Sequence, residues 1–394
     1  MYERHVQLPP RARGPRPATD GPPVMHVSAL YLPQFHPTPE NDAWWGRGFT
    51  EWTNVAKARP LFPGHKQPNL PGELGFYDLR VSESRQLQAE LAMAHGVDSF
   101  AVWHYWFGGR KILERPLEQS LAEPAEGSFR FFFNWANESW QGRWHGAGNE
   151  TLIEQTYPGA DDDRDHFHYL EPFFHSDRYV RLDGRPIMAI YKPRAIPNLD
   201  GLIERWNTLA QSSGLGSLYW IAQLDHPDDL PAVKPRFDQC YLNPGQLWSY
   251  IGGIDHRVFD RLKLPRLVDA SKFPGSLESF LREHPSVTPC LMPDWDNTPR
   301  ARRDGNVWVR NAPEVFAAQV RIAFDAVARA GRPVTEQLVM VKSWNEWAET
   351  NCLEPGRRHG RRYLESIRDI RAARGLLSAG LPLQGSRAPD RVLA

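Results

Sequence analysis

The stretch L-V-M-V-K-S-W-N-E-W-A-E-T, residues 338–350, runs from a block of apolar residues into two tryptophans and two glutamates. The apolar block predicts a buried strand. Beyond it, Glu346 and Glu349 are three residues apart, and Trp344 and Trp347 flank them. Paired carboxyl groups beside flat indole rings are typical of a site that cleaves sugars, where one carboxyl group acts as acid and the other as base. A surface turn with two solvated glutamates is the alternative interpretation of this stretch taken by itself.

Seven further apolar runs of similar length precede this one along the chain. Several are nearly continuous in apolar and aromatic residues, as expected of parallel strands that are buried on both faces. The eight predicted strands cover residues 27–32, 99–104, 129–134, 186–191, 218–223, 238–242, 287–292 and 338–343.

Amphipathic segments lie between the predicted strands. Leu87, Leu91 and Ala94 are spaced so that they share one helix face, and Gly96 and Gly331 stand where two helices are expected to end. Strand alternating with helix eight times predicts an α/β fold, a single (β/α)8 TIM barrel. A doubly wound open sheet is the competing interpretation, but no G-x-G-x-x-G motif follows the first predicted strand.

The barrel is predicted to fill residues 25–375 as one catalytic domain with long loops after its strands. Residues 1–24 contain L-P-P-R-A-R-G-P-R-P and no apolar segment of the kind found in signal peptides, so we expect a disordered leader. Residues 376–394 have a similar character and are expected to form a flexible tail. No internal repeat or interdomain linker is evident.

Composition and charge argue against some kinds of binding partner. The 394 residues include 47 basic and 47 acidic side chains, a balance that argues against nucleic acid as a partner. No run approaches the roughly 18 to 20 apolar residues of a membrane span, so no stable membrane anchor is expected. Cys240, Cys290 and Cys352 form no metal-binding spacing, which favours reduced thiols and a cytoplasmic location. No feature predicts the oligomeric state.

Polar and aromatic residues concentrate directly after the predicted strands, where the active sites of TIM barrels lie. Sugars need polar partners for their hydroxyl groups and flat apolar surfaces for their ring faces. The residues predicted to contact a carbohydrate substrate are Tyr31, Gln34, His36, Trp45, Glu51, Trp52, His104, Tyr105, Trp106, Trp135, Asn137, Glu138, Tyr191, Asp294, Asp296, Asn297, Trp344, Asn345 and Trp347.

Some of these residues have a second interpretation. His104 lies on an apolar strand and could be a core histidine, and Trp45 could cap the barrel by packing. Asp294 and Asp296 form a D-x-D pattern, which sugar-nucleotide enzymes use to bind a divalent metal; hydrogen bonding to substrate is the interpretation we favour. Glu354, five residues after Glu349, could orient the loop that holds the acid pair.

Five motifs together resemble the WbsX family, found among proteins of bacterial cell-surface polysaccharide synthesis and commonly labelled glycosyltransferase. The motifs are A-L-Y-L-P-Q-F-H from residue 29, N-D-A-W-W-G-R-G-F-T-E-W-T-N-V from 41, F-N-W-A-N-E-S-W from 133, D-N-T-P-R from 296 and W-N-E-W-A-E-x-x-x-L-E-P from 344. The last motif is also similar, more distantly, to the N-E-W-H-E signature of the family 99 endo-α-mannosidases, which are (β/α)8 barrels.

The likeness to the mannosidases implies roles for particular residues. Glu346 matches the base that acts on the 2-hydroxyl of the sugar, whose oxygen then closes a 1,2-anhydro intermediate. Glu349 matches the acid that protonates the leaving group and later activates water or an acceptor. Asn345 matches a substrate contact, and Ala348 replaces the histidine between the two acids of that signature. The resemblance implies chemistry with no metal and no cofactor.

The sequence therefore predicts a retaining glycoside-processing enzyme, a hydrolase or a transglycosylase, that acts on a bacterial cell-surface polysaccharide or oligosaccharide. Two alternatives stay open. One is a sugar-nucleotide-dependent glycosyltransferase with Asp294 and Asp296 as metal ligands. The other is a carbohydrate-binding barrel without catalytic activity, for which the acid pair Glu346 and Glu349 would have no use.

Overall fold

A computed structural model describes residues 25–123, 130–142, 150–247 and 261–376. The predicted leader, residues 1–24, lies outside these ranges, as do residues 377–394 of the predicted tail and Phe129, the predicted start of the third strand.

Eight parallel strands form the central sheet, and most of their side chains are buried on both faces. They are β1 His26–Tyr31, β2 Ser99–His104, β3 Phe131–Trp135, β4 Arg185–Ile190, β5 Tyr219–Leu224, β6 Gln239–Leu242, β7 Cys290–Leu291 and β8 Leu338–Val341.

The strand order is β6-β5-β4-β3-β2-β1-β8-β7, so the first and last strands of the chain pair with each other. His26 is in register with Leu338 in that pairing. The remaining gap is bridged between Tyr241 on β6 and Thr288 just before β7, where the Thr288 amide donates to the Cys240 carbonyl oxygen at 2.8 Å. The sheet is thus nearly closed into a barrel, and the predicted (β/α)8 fold is confirmed.

Helices surround the barrel and also occupy its loops. They are α1 Pro39–Trp45, α2 Glu51–Lys57, α3 Ser82–Ala94, α4 Arg115–Ser120, α5 Ala160–Phe174, α6 Leu199–Ser212, α7 Leu230–Val233, α8 Phe273–Glu283, α9 Thr298–Ala301, α10 Pro313–Arg329 and α11 Arg362–Ala373. Within the described ranges, none of these helices is long and apolar enough to cross a membrane.

Two predictions about these elements were wrong in detail. Of the three residues predicted to share one face of α3, Leu91 is buried, but Leu87 is 53% exposed and Ala94 is exposed, and the helix also buries Gln88. Gln88 faces inward because it hydrogen-bonds buried polar groups of the barrel. The seventh strand, predicted over residues 287–292, is only Cys290–Leu291 long.

Short strand pairs build the loops. They are Trp106–Phe107 with Arg110–Lys111, Trp140–Gln141 with Thr151–Ile153, Arg181–Leu182 with the start of β4, Arg266–Asp269 with Asn306–Val309, and Asn345–Glu346 with Asn351–Cys352. The last pair follows β8 and carries the predicted catalytic residues.

Candidate active site

The chain leaves β8 and turns back on itself through the antiparallel pair Asn345–Glu346 and Asn351–Cys352, with a 3-10 turn at Trp347–Glu349 between them. The Glu346 amide donates to Ser343 Oγ at 2.9 Å, which fixes the start of this hairpin. A tight hairpin of this kind holds both glutamates at the carboxyl end of the barrel, as the sequence spacing predicts.

Arg300 on α9 binds three carboxylates, of which those of Glu51 and Glu346 are buried and that of Glu349 is partly buried. Its Nε donates to Glu51 Oε1 at 2.8 Å, its Nη1 to Glu349 Oε1 at 2.8 Å and its Nη2 to Glu346 Oε2 at 3.0 Å. Glu51 is fully buried at the start of α2. A planar guanidinium with five donors is suited to holding several carboxylates at once. The two predicted catalytic glutamates therefore lie side by side on one cation.

A second cation, Lys342, contacts only one member of the pair. Its Nζ lies 3.3 Å from Glu349 Oε2 and 5.1 Å from the centre of the Trp295 ring. Glu349 thus has two cationic partners, whereas Glu346 shares one. Neither Arg300 nor Lys342 was predicted as a site residue, although Arg300 closes the D-N-T-P-R motif and Lys342 precedes the W-N-E-W motif.

These contacts give the two glutamates different pKa values. Burial, and after it the charge of Glu349, raises the pKa of Glu346 to about 7. Burial acts on Glu349 in the same direction, but Lys342 and Arg300 outweigh it and lower the pKa of Glu349 below its ordinary value. Two acids that share a site cannot both ionise easily, so the proton resides on the one with fewer cationic neighbours. In the substrate-free protein that residue is Glu346.

Glu354 stabilises the hairpin by accepting hydrogen bonds from three side chains. Gln88 Nε2 donates to Glu354 Oε1 at 2.7 Å, while Tyr77 Oη and Trp347 Nε1 donate to Oε2 at 2.9 Å and 2.6 Å. Despite these three donors, burial raises the pKa of Glu354 to about 7. Because Trp347 sits between Glu346 and Glu349, this network fixes the turn that carries them, as predicted for Glu354.

The stability of the protein is expected to depend on pH through Glu354. Its pKa rises from an ordinary value of 4.5 to about 7 on folding, so the folded state holds this proton more tightly than the unfolded chain. As the pH rises from 4.5 to 7, the wild type should lose up to about 3 kcal/mol of unfolding free energy relative to Glu354→Gln. Urea unfolding across this range measures the difference. Glu90→Gln, at an exposed glutamate on α3, is the control. If the free energies of unfolding of wild type and Glu354→Gln change with pH in the same way, the prediction is contradicted.

A family model described as Glycosyltransferase WbsX matches residues 27–367. The chain belongs to the WbsX glycosyltransferase family. Two proteins from strains of Xanthomonas campestris pv. campestris, each described as uncharacterized protein WxcX, are 35% identical to it. Each alignment covers 86% of this chain and 48% of the relative, so the chain spans about half the length of the curated relatives it matches.

Solved structures resemble the barrel at low sequence identity. A glycoside hydrolase-like protein has a TM-score of 0.57 at 15% identity, covering 90% of this chain and 96% of that one. The family 99 endo-alpha-mannosidase from Bacteroides thetaiotaomicron has a TM-score of 0.51 at 15% identity, covering 89% and 98% of the two chains. At 15% identity, the similarity shows that this WbsX family member shares their fold.

Asn345 and Trp344 are held within the protein. Asn345 Oδ1 accepts from the Leu32 amide at 2.7 Å and its Nδ2 donates to the Leu32 carbonyl oxygen at 3.0 Å. Trp344 is fully buried and its amide donates to the Leu30 carbonyl oxygen at 2.7 Å. Both residues therefore join the end of β8 to β1, and the structure does not place them as direct substrate contacts.

His104 and Trp106 belong to the core of this WbsX family member. His104 Nε2 lies 2.7 Å from His166 Nε2, and burial lowers the pKa of His104 to about 3. Trp106 stacks on the His166 ring with 4.5 Å between centroids, and its Nε1 donates to Asp162 Oδ1 at 3.0 Å. The core interpretation of His104 is thus the one that the geometry supports.

Residues after β3 bind the loop after β4. Asn137 Nδ2 donates to Tyr157 Oη at 2.9 Å and to the Lys192 carbonyl oxygen at 2.8 Å, while its Oδ1 accepts from the Lys192 amide at 2.8 Å. Glu138 forms an ion pair with Lys192. Trp135 is buried with its ring edge-on to Tyr157, 6.0 Å away. Asn137 therefore holds the loops after β3 and β4 together through its hydrogen bonds. Glu138 and Lys192 are partly exposed.

Tyr105 and Tyr191 are near enough to the acid pair to interact with it electrostatically. Tyr105 stacks on Trp140 at 5.2 Å, and burial followed by the charge of Glu346 raises its pKa. Tyr191 packs edge-on to Trp103 at 5.4 Å, and its pKa is raised by burial first and by several nearby carboxylates. Both are incompletely buried, as are Trp45 and Trp52.

Residues that follow β1 are mostly internal. Tyr31 Oη donates to Gln88 Oε1 at 2.8 Å, and Gln34 Nε2 donates to Asn41 Oδ1 at 3.4 Å. His36 is buried, and burial lowers its pKa to about 4. The structure thus gives Tyr31, Gln34 and His36 positions in the barrel wall rather than at an open surface.

Two of the three tryptophans of the second motif, Trp45 and Trp52, were predicted to contact substrate, and they lie in different surroundings. Trp45 lies at the end of α1 with its ring 6.0 Å from that of Phe49. Trp52 Nε1 donates to the Tyr77 carbonyl oxygen at 2.8 Å, and its ring lies 5.9 Å from that of Trp347. Trp52 and Trp347 thus pack together behind the catalytic hairpin, and Trp347 is itself almost completely buried.

Asp296 is fully engaged by side chains of the loop after β1 and by α9. Its Oδ2 accepts from Gln67 Nε2 at 2.6 Å and lies 2.8 Å from His65 Nε2, and its Oδ1 accepts from Thr298 Oγ1 at 2.6 Å. Asn297 Oδ1 likewise accepts from the Asn306 amide at 2.8 Å. These residues hold α9, and with it Arg300, in place.

Asp294 lies in different surroundings from Asp296. Its Oδ1 accepts from the Trp295 amide at 2.8 Å, and burial raises its pKa to about 6. Among the residues that the structure describes, no group of three or more His, Cys, Asp and Glu is arranged to hold a metal ion.

Proposed function

We propose that this protein cleaves glycosidic bonds, with Glu346 and Glu349 as the catalytic pair. The observation that carries the proposal is one guanidinium, that of Arg300, bound to both carboxylates in a buried hairpin at the end of β8. The WbsX family and the glycoside hydrolase-like neighbours support a glycan-processing enzyme.

The chemistry follows from the two different carboxyl groups. Cleavage needs one group that donates a proton to the departing oxygen and one ionised group that assists at the anomeric carbon or its neighbour. Glu346, with its raised pKa, carries a proton near neutral pH, and Glu349 remains ionised beside Lys342. Two carboxylates on one guanidinium lie close together, which favours the retaining arrangement of about 5–5.5 Å over the wider inverting one.

The likeness to the mannosidases and the charges around the pair assign different roles to the two glutamates. The likeness to the mannosidases implies that Glu346 is the base on the 2-hydroxyl and that Glu349 is the acid/base. The charges around the substrate-free pair favour the opposite distribution of the proton. We adopt the electrostatic argument, because it rests on contacts of this chain, and we propose Glu346 as the proton donor.

Leaving-group dependence tests this assignment. Glu346→Gln is expected to cleave unactivated glycosides about 10²-fold or more slowly while retaining most activity on 2,4-dinitrophenyl glycosides, which need no protonation. Glu349→Gln should lose both activities. Wild-type kcat/KM should fall above about pH 7 as Glu346 loses its proton, and that alkaline limb should vanish in Glu346→Gln with the activated substrate. The reversed pattern would support the roles implied by the resemblance.

The substrate class is proposed as a bacterial cell-surface polysaccharide or its oligosaccharide unit. The WbsX resemblance supports this class, and the structural neighbour from Bacteroides thetaiotaomicron is an endo-alpha-mannosidase. Ala348 stands where the mannosidase signature has histidine. We therefore propose α-mannosides as the first substrates to test rather than as the physiological ones.

Sugar transfer is the second candidate, because the family is described as a glycosyltransferase. Transfer to a sugar acceptor in place of water would use the same two glutamates. A metal-dependent nucleotide-sugar mechanism through Asp294 and Asp296 is less well supported, since Asp296 already accepts bonds on both oxygens. A nucleotide-sugar panel with Mn²⁺, run on wild type and Asp294→Asn, distinguishes the two mechanisms.

A cytoplasmic location also remains a proposal. Cys240, Cys290 and Cys352 are unpaired and buried, which is consistent with a reducing compartment.

A further inference from the structure

Glu51 is the third carboxylate on Arg300, and it differs from the other two in its access to solvent. The side chain of Glu51 is 0% exposed, whereas those of Glu346 and Glu349 are 7% and 16% exposed. Glu51 was predicted to contact substrate, but it presents no surface to which a substrate could bind. Any part that Glu51 takes in the reaction therefore passes through its neighbours.

The position of Glu51 is fixed by the contacts of α2. The Glu51 amide donates to the Gln34 carbonyl oxygen at 3.0 Å, which ties the first residue of α2 to the loop after β1. The helix packs against the turn Trp347–Glu349 and against α9, which carries Arg300. The Glu51 carboxylate is thus held where the catalytic turn and α9 meet.

One nitrogen of Arg300 is shared between Glu51 and Glu346. Arg300 Nη2 lies 2.7 Å from Glu51 Oε1 and 3.0 Å from Glu346 Oε2. Arg300 Nε also donates to Glu51 Oε1, at 2.8 Å. A positive charge that two carboxylates share stabilises the ionised form of each less than a charge that one of them has to itself. Ionised Glu51 therefore weakens the stabilisation that Arg300 gives to ionised Glu346.

The charges of this cluster do not balance when every carboxyl group is ionised. In the part of the chain that the structure describes, Arg300 and Lys342 are the cations in contact with Glu51, Glu346 and Glu349. Two positive charges against three negative ones leave an excess buried negative charge, which is costly unless a proton neutralises it. Glu349 has both cations as partners, so the proton is expected on Glu346 or Glu51.

Glu51 and Glu346 compete for that proton. Burial raises the pKa of Glu51, as it does that of Glu346, and Arg300 opposes both rises. Two nitrogens of Arg300 contact Glu51 and one contacts Glu346, which favours the ionised form at Glu51. The titratable groups that face this pair from the surrounding elements are Tyr105 after β2, Arg300 on α9, Lys342 after β8 and Glu349 in the 3-10 turn.

We propose that Glu51 is a positioning residue of the candidate active site, which competes with Glu346 for the guanidinium of Arg300 and so keeps a proton on Glu346. Glu51 acts through Arg300 and does not touch the substrate. The inference rests on the proposed function, since the proton concerned is the one that Glu346 would give to the departing oxygen.

Carboxyl-carbon NMR on the full chain, labelled with ¹³Cδ-glutamate, follows the proton on Glu346 without any substrate. The Glu346 signal is the one that disappears in Glu346→Gln. In wild type it should titrate near pH 7. In Glu51→Gln its midpoint should fall by about one pH unit, because the freed guanidinium then favours the ionised form of Glu346.

Two further variants support this measurement. Glu51→Asp keeps the charge but moves it away from Arg300 by one methylene, so it should give a smaller fall in the same direction. The test therefore does not depend on the folding of Glu51→Gln. Glu90→Gln is the matched control, because Glu90 is an exposed glutamate on α3, and its Glu346 midpoint should equal that of wild type.

The outcomes separate this inference from the catalytic proposal. A Glu346 midpoint that stays the same or rises in Glu51→Gln, or that falls equally in Glu90→Gln, would overturn the role of Glu51, even if glycans are cleaved. The expected fall in a protein that releases no reducing ends would contradict the proposed function and leave the effect of Glu51 on the proton in place. A Glu346 already ionised at pH 5 in wild type would contradict both.

Discussion

Replacing Glu349 by Gln is expected to lower kcat about 10²–10⁴-fold, the range over which a positioned acid–base group contributes to catalysis. The carboxylate that Arg300 and Lys342 hold ionised would become a neutral amide, while the shape of the site would change little. Binding of the glycan, measured by calorimetry, should stay within a few-fold of wild type, because the loss falls on the transition state.

The control for this substitution is Glu90→Gln, which alters an exposed glutamate on α3 and should leave kcat unchanged. Equal kcat for Glu349→Gln and wild type would remove Glu349 from the mechanism. A loss of binding together with kcat would indicate that the substitution had disturbed the hairpin.

Replacing Arg300 by Gln is expected to lower the free energy of unfolding by about 3–5 kcal/mol, the cost of removing one partner from buried ion pairs. Glu51, Glu346 and Glu349 would lose their shared cation, and Lys342 contacts only Glu349. Because protonation can neutralise the orphaned carboxylates, the loss should be larger at pH 8 than at pH 5. Urea unfolding at both pH values measures it.

Arg303→Gln serves as the matched control for Arg300, since Arg303 is exposed three residues further along the same loop and should change stability little. A destabilisation of Arg300→Gln below about 1 kcal/mol at pH 8 would mean that the three carboxylates do not depend on this guanidinium. Loss of activity without loss of stability would assign Arg300 to substrate contact instead.

The barrel could be predicted from sequence because buried parallel strands are nearly continuous in apolar residues. The run at residues 338–341, followed by the W-N-E-W-A-E motif, marks both the last strand and the acid pair that ends it. Positions directly after strands are positions at one end of a barrel, so the region of the candidate site followed from the fold.

The roles of individual residues were less predictable, because they depend on contacts between distant parts of the chain. Arg300 is brought to Glu51 and Glu346 from separate loops, and although it ends the D-N-T-P-R motif, the motif does not show that its guanidinium binds these carboxylates. His104 has the position of a site residue but pairs with His166 on α5, which lies 62 residues away in sequence. Tertiary partners of this kind decide whether a polar residue after a strand is available to a substrate.

The face of α3 shows the same limit on a smaller scale. Leu87 and Leu91 have helical spacing, yet Leu87 is 53% exposed. The buried position is taken by Gln88, which joins Tyr31 to Glu354 by hydrogen bonds. A polar residue with two internal partners can outcompete an apolar one for a place in the core, since burial without those bonds would be costly.

The central claim is tested most directly by release of reducing ends from glycans in the absence of nucleotide. The panel contains α-linked mannans, mannose-type oligosaccharides and bacterial O-antigen fragments, and wild type is run beside Glu346→Gln and Glu349→Gln. Release by wild type from at least one glycan, with little or none from either variant, is the predicted result. Equal release by wild type and both variants, or product formation by wild type only when a nucleotide sugar is supplied, would contradict a glycosidase built on this pair.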